Sequence, residues 1–192
     1  MDVIDAILKR RTIRRFTRDR VDREILIEFV DYARLAPSTL NYQALEFIVV
    51  DEVKTVDEMF NNVKLALFLP EDQRPTFDER PAAYIVILAN TDVMKKNFER
   101  DVGAAAENIL LGALARGLGG VLMWSVDRDA VRRLLNVPDK YVIDSAIALG
   151  RPAEEAKIVE PVDGSLRYYR DDKGVHNVPK RPLKTILHLN GF

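Results

Sequence analysis

The first apolar positions of the chain recur at a helical interval, with Val3, Ile4, Ile7 and Leu8 forming one stripe behind Asp2, a residue suited to helix capping. That spacing predicts a first helix with its stripe buried, and Lys9 and Arg10 in the last turn suit the helix's negative end. A second helix is predicted from about Asp22, burying Ile25, Leu26, Phe29, Val30 and Ala33. It should end before Pro37, because proline disfavours helical geometry in the residue ahead of it. "PSTLNYQ" then reads as a loop, and "LEFIVV" (45–50), rich in β-branched and aromatic residues, reads as a strand. Thr55 and Glu58 have the spacing of a capping box, with a helical stripe of Val56, Met59, Phe60, Val63 and Leu67 behind them. Pro70, Pro75 and Pro81 exclude continuous helix from "LPEDQRPTFDERP", which reads as an exposed connection or lid.

The alternation continues beyond Pro81. "YIVILA" (84–89) predicts a buried strand, and the longest helix is expected from about Phe98 to Arg116. Its inward face holds Val102, Ala105, Ala106, Ile109, Leu110, Ala113 and Leu114, and Gly117 closes its end. "GGVLMW" reads as a short strand, Asp127 as the cap of a helix through Leu135, and Tyr141 to Leu149 as another strand. Four strands alternating with helices predict a layered α/β or α+β domain. From Arg151 the periodicity fades into proline, glycine and charge, apart from a possible strand at "LRYY" and a short helix near 183–189. Residues 151–192 are too long a stretch for an idle loop, so this tail is expected to pack on another chain or on a cofactor.

Composition narrows the chemistry. A chain of 192 residues fits a single domain, and a formal net charge of −1 gives no global attraction to nucleic acid or membrane, so any anion site must be local. With no cysteine there is no disulfide, thiolate nucleophile or iron–sulfur ligand, which suits a reducing cytoplasm. The longest apolar run, Ala82 to Ala89, falls short of the roughly 18 residues of a membrane span. A soluble, cytoplasmic protein is the expectation.

The sequence has no GxSxG, Walker loop or HExxH motif, and the lone "GLGG" (117–120) precedes a strand instead of following one, which disfavours a Rossmann site. His176 and His188 read as surface or packing residues more readily than as metal ligands. What stands out is "KRRTIRRF" (9–16), five cations in eight residues. If the backbone is extended there, Arg10, Thr12 and Arg14 face one way and offer two guanidinium forks and a hydroxyl to a phosphate monoester. A solvated charged face and a nucleic-acid arm are the alternatives, the latter weakened because Phe16 is the only interleaved aromatic. In "APSTLNYQ", Ser38, Thr39, Asn41 and Gln43 crowd hydrogen-bonding groups between a helix and a buried strand; the amides match a heterocycle's alternating donor and acceptor edge.

"RRTIRRF", "APSTLNYQ" running into "FIVV", "GAAAENILLGALARGLGG" and the basic pair in "PKRPL" resemble, in order and rough spacing, the nitroreductase family of flavin enzymes. The resemblance covers nearly the whole chain, and is weakest at 61–80 and 151–177. It implies an α+β fold with a central mixed sheet flanked by helices, in a single domain over 1–192 whose 151–192 tail packs on the partner of an intertwined homodimer. It also implies FMN at the dimer interface and NADH or NADPH as hydride donor. The acceptor it implies is an electron-poor molecule such as a nitroaromatic or quinone, served in ping-pong order. A flavoenzyme of the same fold with different chemistry, dehalogenating or oxygen-dependent, and a non-enzymatic anion-binding protein are the rival readings. Carried over by position, Arg10, Arg11, Thr12 and Arg14 hold the phosphate and ribityl chain. Ser38, Thr39, Asn41 and Gln43 border the isoalloxazine ring, some of them the partner's. Gly119 and Gly120 bring backbone close to the ring, and Lys180 and Arg181 return to the phosphate from the tail. The chain departs from the family at Ala44-Leu45, where Pro-Trp is common, and at Trp124-Ser125, where glycine is common.

Overall fold

The apolar runs of the sequence form the sheet. In the computed structural model, which describes residues 1–191, β1 (Leu45–Val50), β2 (Ala83–Asn90), β3 (Gly119–Met123) and β4 (Tyr141–Gly150) pair in the order β1-β2-β4-β3. All three pairings are antiparallel. The mixed character expected of the central sheet is therefore corrected. Strands β2 and β3 point the same way, but β4 inserts between them, and among the described residues the only parallel pairing this sheet makes is an isolated bridge from Thr12 to Gly120 at its edge.

Both faces of this sheet are covered, which is why β2 is buried throughout and carries no polar alternation until Asn90. Tyr84, Val86 and Leu88 share a core with Ile13, Phe16, Val56 and Met59. The alternate residues Ile85, Ile87 and Ala89 share another with Leu26, Phe29, Val102 and Ile109. Helices α1 (Val3–Lys9), α2 (Arg23–Arg34), α3 (Val53–Asn61), α4 (Glu99–Ala115) and α5 (Arg128–Leu135) supply the outer layers. Asp127 caps α5 by accepting from the Ala130 N–H, and Gly117, at φ +72°, lets the chain leave α4 by the left-handed turn that glycine favours.

Three helical expectations are corrected. Glu52, not Thr55, caps α3, its carboxylate accepting from the Thr55 N–H, so the helix begins earlier. It also ends earlier, at Asn61, and Val63 leaves the stripe to bridge Val126 while Leu67 lies exposed. In α1 the apolar stripe faces outward: Val3, Ile4, Ile7 and Leu8 are each more than half exposed, and Ala6 is the helix's buried residue. Periodicity names the face that leaves water; within one chain nothing covers it.

The 62–80 segment is tied down. Phe16 N–H donates to the Glu79 carbonyl (3.0 Å), Arg15 Nη2 to the Gln73 carbonyl (2.9 Å), and buried Arg80 pairs with Asp57 at 2.5 Å. Beyond β4 lies a second, small sheet of β5 (Ala156–Val159), β6 (Tyr169–Arg170) and β7 (His176–Pro179) in the order β5-β7-β6, with β5 and β7 parallel. After Pro179 the described chain is exposed, including Leu183, Ile186, Leu187 and Leu189. Among the described residues no helix is long and apolar enough to cross a membrane.

Candidate functional site

Helix α1 gives way at Arg10, and residues 11–16 continue as an arm laid along the sheet edge. The Ile13 N–H donates to the Gly120 carbonyl (3.1 Å), and Phe16 bridges Pro152. Close approach requires the two glycines. A Cβ on Gly119 would stand 2.7 Å from Ile13 Cγ1, and one on Gly120 would stand 2.8 Å from Leu110 Cδ2 and 3.1 Å from the Ala148 carbonyl oxygen.

Beside this contact a cleft of about 220 Å³ is lined by Arg10, Arg11, Gly119, Gly120, Leu114 and Glu154, among others. Arg10 Nε lies 2.8 Å from Glu107 Oε1, an ion pair whose N–H is not aimed along the contact. Arg11 folds back to donate to the Leu8 and Arg10 carbonyls at the negative end of α1. Its pKa is lowered, first by burial and then by the neighbouring Arg10 charge. Two cations thus share a cleft, and the hydroxyl of Thr12, the next residue of the arm, makes no hydrogen bond among the described residues.

Arg14 does not join them. The extended arm was expected to turn Arg10, Thr12 and Arg14 toward one target, but Arg14 is drawn to the tail sheet, with Nη1 2.9 Å from His176 Nε2 and its guanidinium 4.3 Å from the Tyr168 ring centre. Under it sits Glu154, its side chain 1% exposed. One oxygen accepts from the backbone N–H of Arg14 (2.5 Å) and Arg15 (3.1 Å), and the other pairs with Arg170 at 2.7 Å. Glu154, Tyr168 and Arg170 escaped the sequence reading, and His176, read there as a surface or packing residue, was not linked to the arm, because each sits in the least periodic part of the chain, about 140 residues or more from the arm.

The Ser38–Gln43 loop is positioned separately. Thr39 donates through its N–H (3.0 Å) and hydroxyl (2.9 Å) to Asp101 Oδ1 in the first turn of α4. Leu40 (φ 48°), Asn41 (φ 59°) and Gln43 (φ 52°) are left-handed, a strained loop held by that tie and by the Gln43 N–H on Ser38 Oγ (3.3 Å). The loop lines a different cleft, with Phe47 and Asp101.

A profile of the nitroreductase family matches residues 7–151. The chain belongs to the nitroreductase family. It is an oxidoreductase of that family, 30% identical over 169 residues to a provisionally named NADH dehydrogenase/NAD(P)H nitroreductase of Archaeoglobus fulgidus, with 84% of this chain and 92% of the relative covered. It is also 32% identical over 182 residues to an NADH dehydrogenase of Thermus thermophilus, covering 81% of this chain and 89% of that protein. A provisionally named nitroreductase of Desulfovibrio desulfuricans, solved in complex with FMN, superposes with a TM-score of 0.71 at 25% identity, over 100% of this chain and 98% of that one.

In this member of the nitroreductase family the remaining candidate residues, Lys180 and Arg181, follow β7 and are exposed. The Lys180 N–H donates to the Val159 carbonyl (3.0 Å) and Arg181 Nη2 to the Thr185 carbonyl (2.8 Å). Lys180 lies four residues from His176, so within about 13 Å of the Arg14 contact along extended chain. Neither this pair nor the Ser38–Gln43 loop lines the Arg10 cleft within one chain.

His176 is buried, and burial first, then the Arg14 charge, pushes its pKa down to about 4 from the usual 6.5. The neutral ring offers Nε2 to Arg14, leaving the buried Nδ1 without a partner. The unfolded chain therefore takes up the proton first as pH falls. Stability should be full above pH 6.5 and decline toward pH 4. Denaturant midpoints across that range check this, and His176→Gln, which keeps an acceptor but does not titrate, should flatten the decline.

Proposed function

We propose that this nitroreductase-family protein is an FMN-dependent, homodimeric oxidoreductase that takes reducing equivalents from NADH or NADPH and passes them to an electron-poor acceptor such as a nitroaromatic or quinone. The observation that carries the reading is the cleft where Arg10 and Arg11 crowd beside Gly119 and Gly120. The residues present fit a phosphate monoester: Arg10 and Arg11 bring two guanidinium groups to one cleft, the terminal nitrogens of Arg10 make no hydrogen bond among the described residues although its Nε lies by Glu107, and the Thr12 hydroxyl is equally unspent.

When bound, FMN supplies the two-electron chemistry, which is why the chain needs no nucleophile or metal of its own. The protein's part is binding and orientation. Arg10, Arg11 and Thr12 grip the phosphate directly. Arg14, anchored on His176, adds its charge from behind the arm, and Lys180 and Arg181 close over the phosphate from the tail. Gly119 and Gly120 keep side-chain bulk away from the ribityl chain and ring. Ser38, Thr39, Asn41 and Gln43 present their donors and acceptors to the ring edge held by the partner. One open face admits donor and acceptor in turn, the ping-pong order.

The homodimer is supported by apolar surface that a lone chain leaves wet: Val3, Ile4, Ile7 and Leu8 on α1, and Leu183, Ile186, Leu187 and Leu189 beyond β7. On this reading residues 1–192 form one domain, its small sheet closing on its own arm and the stretch after Lys180 packing on the partner. Purified protein should carry flavin absorption bands that bleach on adding NADH or NADPH; a colourless protein that takes up no FMN rejects the reading. Arg10→Ala should weaken FMN binding by about 1.5–3 kcal/mol, the scale of a charge-assisted hydrogen bond, read by flavin fluorescence titration. An unchanged titration removes Arg10 from the phosphate site.

A further inference from the structure

Trp124, the only tryptophan, follows directly on β3 and is 60% exposed, although Met123 before it and Val126 after it are buried. It stands over a cleft of about 390 Å³ whose walls are Asn61, Asn62 and Lys64 on one side and Trp124, Ser125 and Asp127 on the other. The walls are zipped together. The Lys64 N–H donates to the Ser125 carbonyl (2.9 Å), the Asp127 N–H to the Asn62 carbonyl (2.9 Å), and Val63 bridges Val126 between them. Within this frame several polar groups are unspent. Among the described residues the Lys64 ammonium has no ion pair, and the Asn61 carboxamide and Ser125 hydroxyl make no hydrogen bond. The opposing charge, Asp127, is committed to the N-terminus of α5.

We propose that this cleft seats the electron acceptor, and that the acceptor it takes is a planar, electron-poor aromatic bearing a carboxylate or equivalent oxyanion. The inference rests on the FMN reading above. An indole face is electron-rich and stacks on an electron-poor ring. The unpaired Lys64 selects an anionic substituent, and Asn61 and Ser125 add hydrogen bonds at its rim. The position suits the role: Trp124 lies four residues, ~13 Å, along β3 from Gly120, where the arm is bridged. That is a separation which a phosphate at the arm, a five-carbon ribityl chain and a tricyclic ring can span.

The test uses FMN-loaded protein and two probes of the same shape, 4-nitrobenzoate and its uncharged counterpart 4-nitrobenzamide, with binding read by calorimetry and by quenching of the single tryptophan. Both probes should quench Trp124, and the carboxylate should bind roughly threefold tighter, the scale of an exposed ion pair. Lys64→Met should erase that preference, and Trp124→Ala should weaken both probes roughly three- to tenfold, the range of an aromatic pair. The same changes should appear in KM for the two probes with NADH as donor, while FMN affinity stays as in the wild type. Equal binding of the two probes, absent quenching, or an unaltered preference in Lys64→Met overturns the proposal with the FMN reading intact. If FMN fails to bind while quenching persists, the flavin reading falls and takes the acceptor role with it.

Discussion

Replacing Glu154 by alanine is expected to cost about 3–5 kcal/mol of unfolding free energy, the toll of removing one partner from a buried ion pair. Its side chain is 1% exposed and that of Arg170 is 8% exposed, so the guanidinium left behind has no water to turn to. The Arg14 and Arg15 N–H groups lose their acceptor in the same step. Glu154→Gln keeps an oxygen for the arm but faces Arg170 without charge, and should fall between alanine and wild type. Urea titrations at fixed protein concentration measure all three, and a loss below about 1 kcal/mol for alanine refutes the burial of this pair. Flavin affinity should drop with it, since the arm that carries Arg10 and Arg11 loses its floor.

The second large effect is expected at Gly119. Valine there brings a Cβ within 2.7 Å of Ile13 Cγ1 before its own branches are placed, and Ile13 is part of the core. The arm must lift from β3, at about 1–3 kcal/mol in line with overpacked cores. The diagnostic is the pairing of two readouts, a lower denaturation midpoint together with weaker FMN binding. A midpoint shift with unchanged flavin titration refutes the coupling between arm placement and the cation cleft.

Most of the sheet was legible in the sequence, because long apolar runs such as "YIVILA" and "LEFIVV" have little option except burial. The longest helix and its Gly117 exit were equally plain. What misled was partnership. The α1 stripe has the same period whether it packs on its own chain or elsewhere, and Thr55 with Glu58 imitates a capping box that Glu52 pre-empts. The site divides along the same line. "KRRTIRRF" stood out because a cation cluster is a local feature, whereas the docking of the arm on Gly119 and Gly120 emerges only with tertiary contacts. The Arg14 diversion to His176 was invisible, because it depends on where a strand of four residues, β7, docks. Short polar strands carry almost no periodic signal, so the small sheet and the carboxylate beneath the arm emerge only with tertiary contacts.

The stitch between Arg14 and Glu154 spans 140 residues of chain. During synthesis from the N-terminus, the arm is made at the outset and then waits, loose and strongly cationic, until the bend between β4 and β5 that supplies its carboxylate has left the ribosome. Closing so large a loop is slow and comes after the local helices have formed. The cleft is thus the last part of the molecule to be finished, and a chain halted short of Glu154 is left with a charged flap.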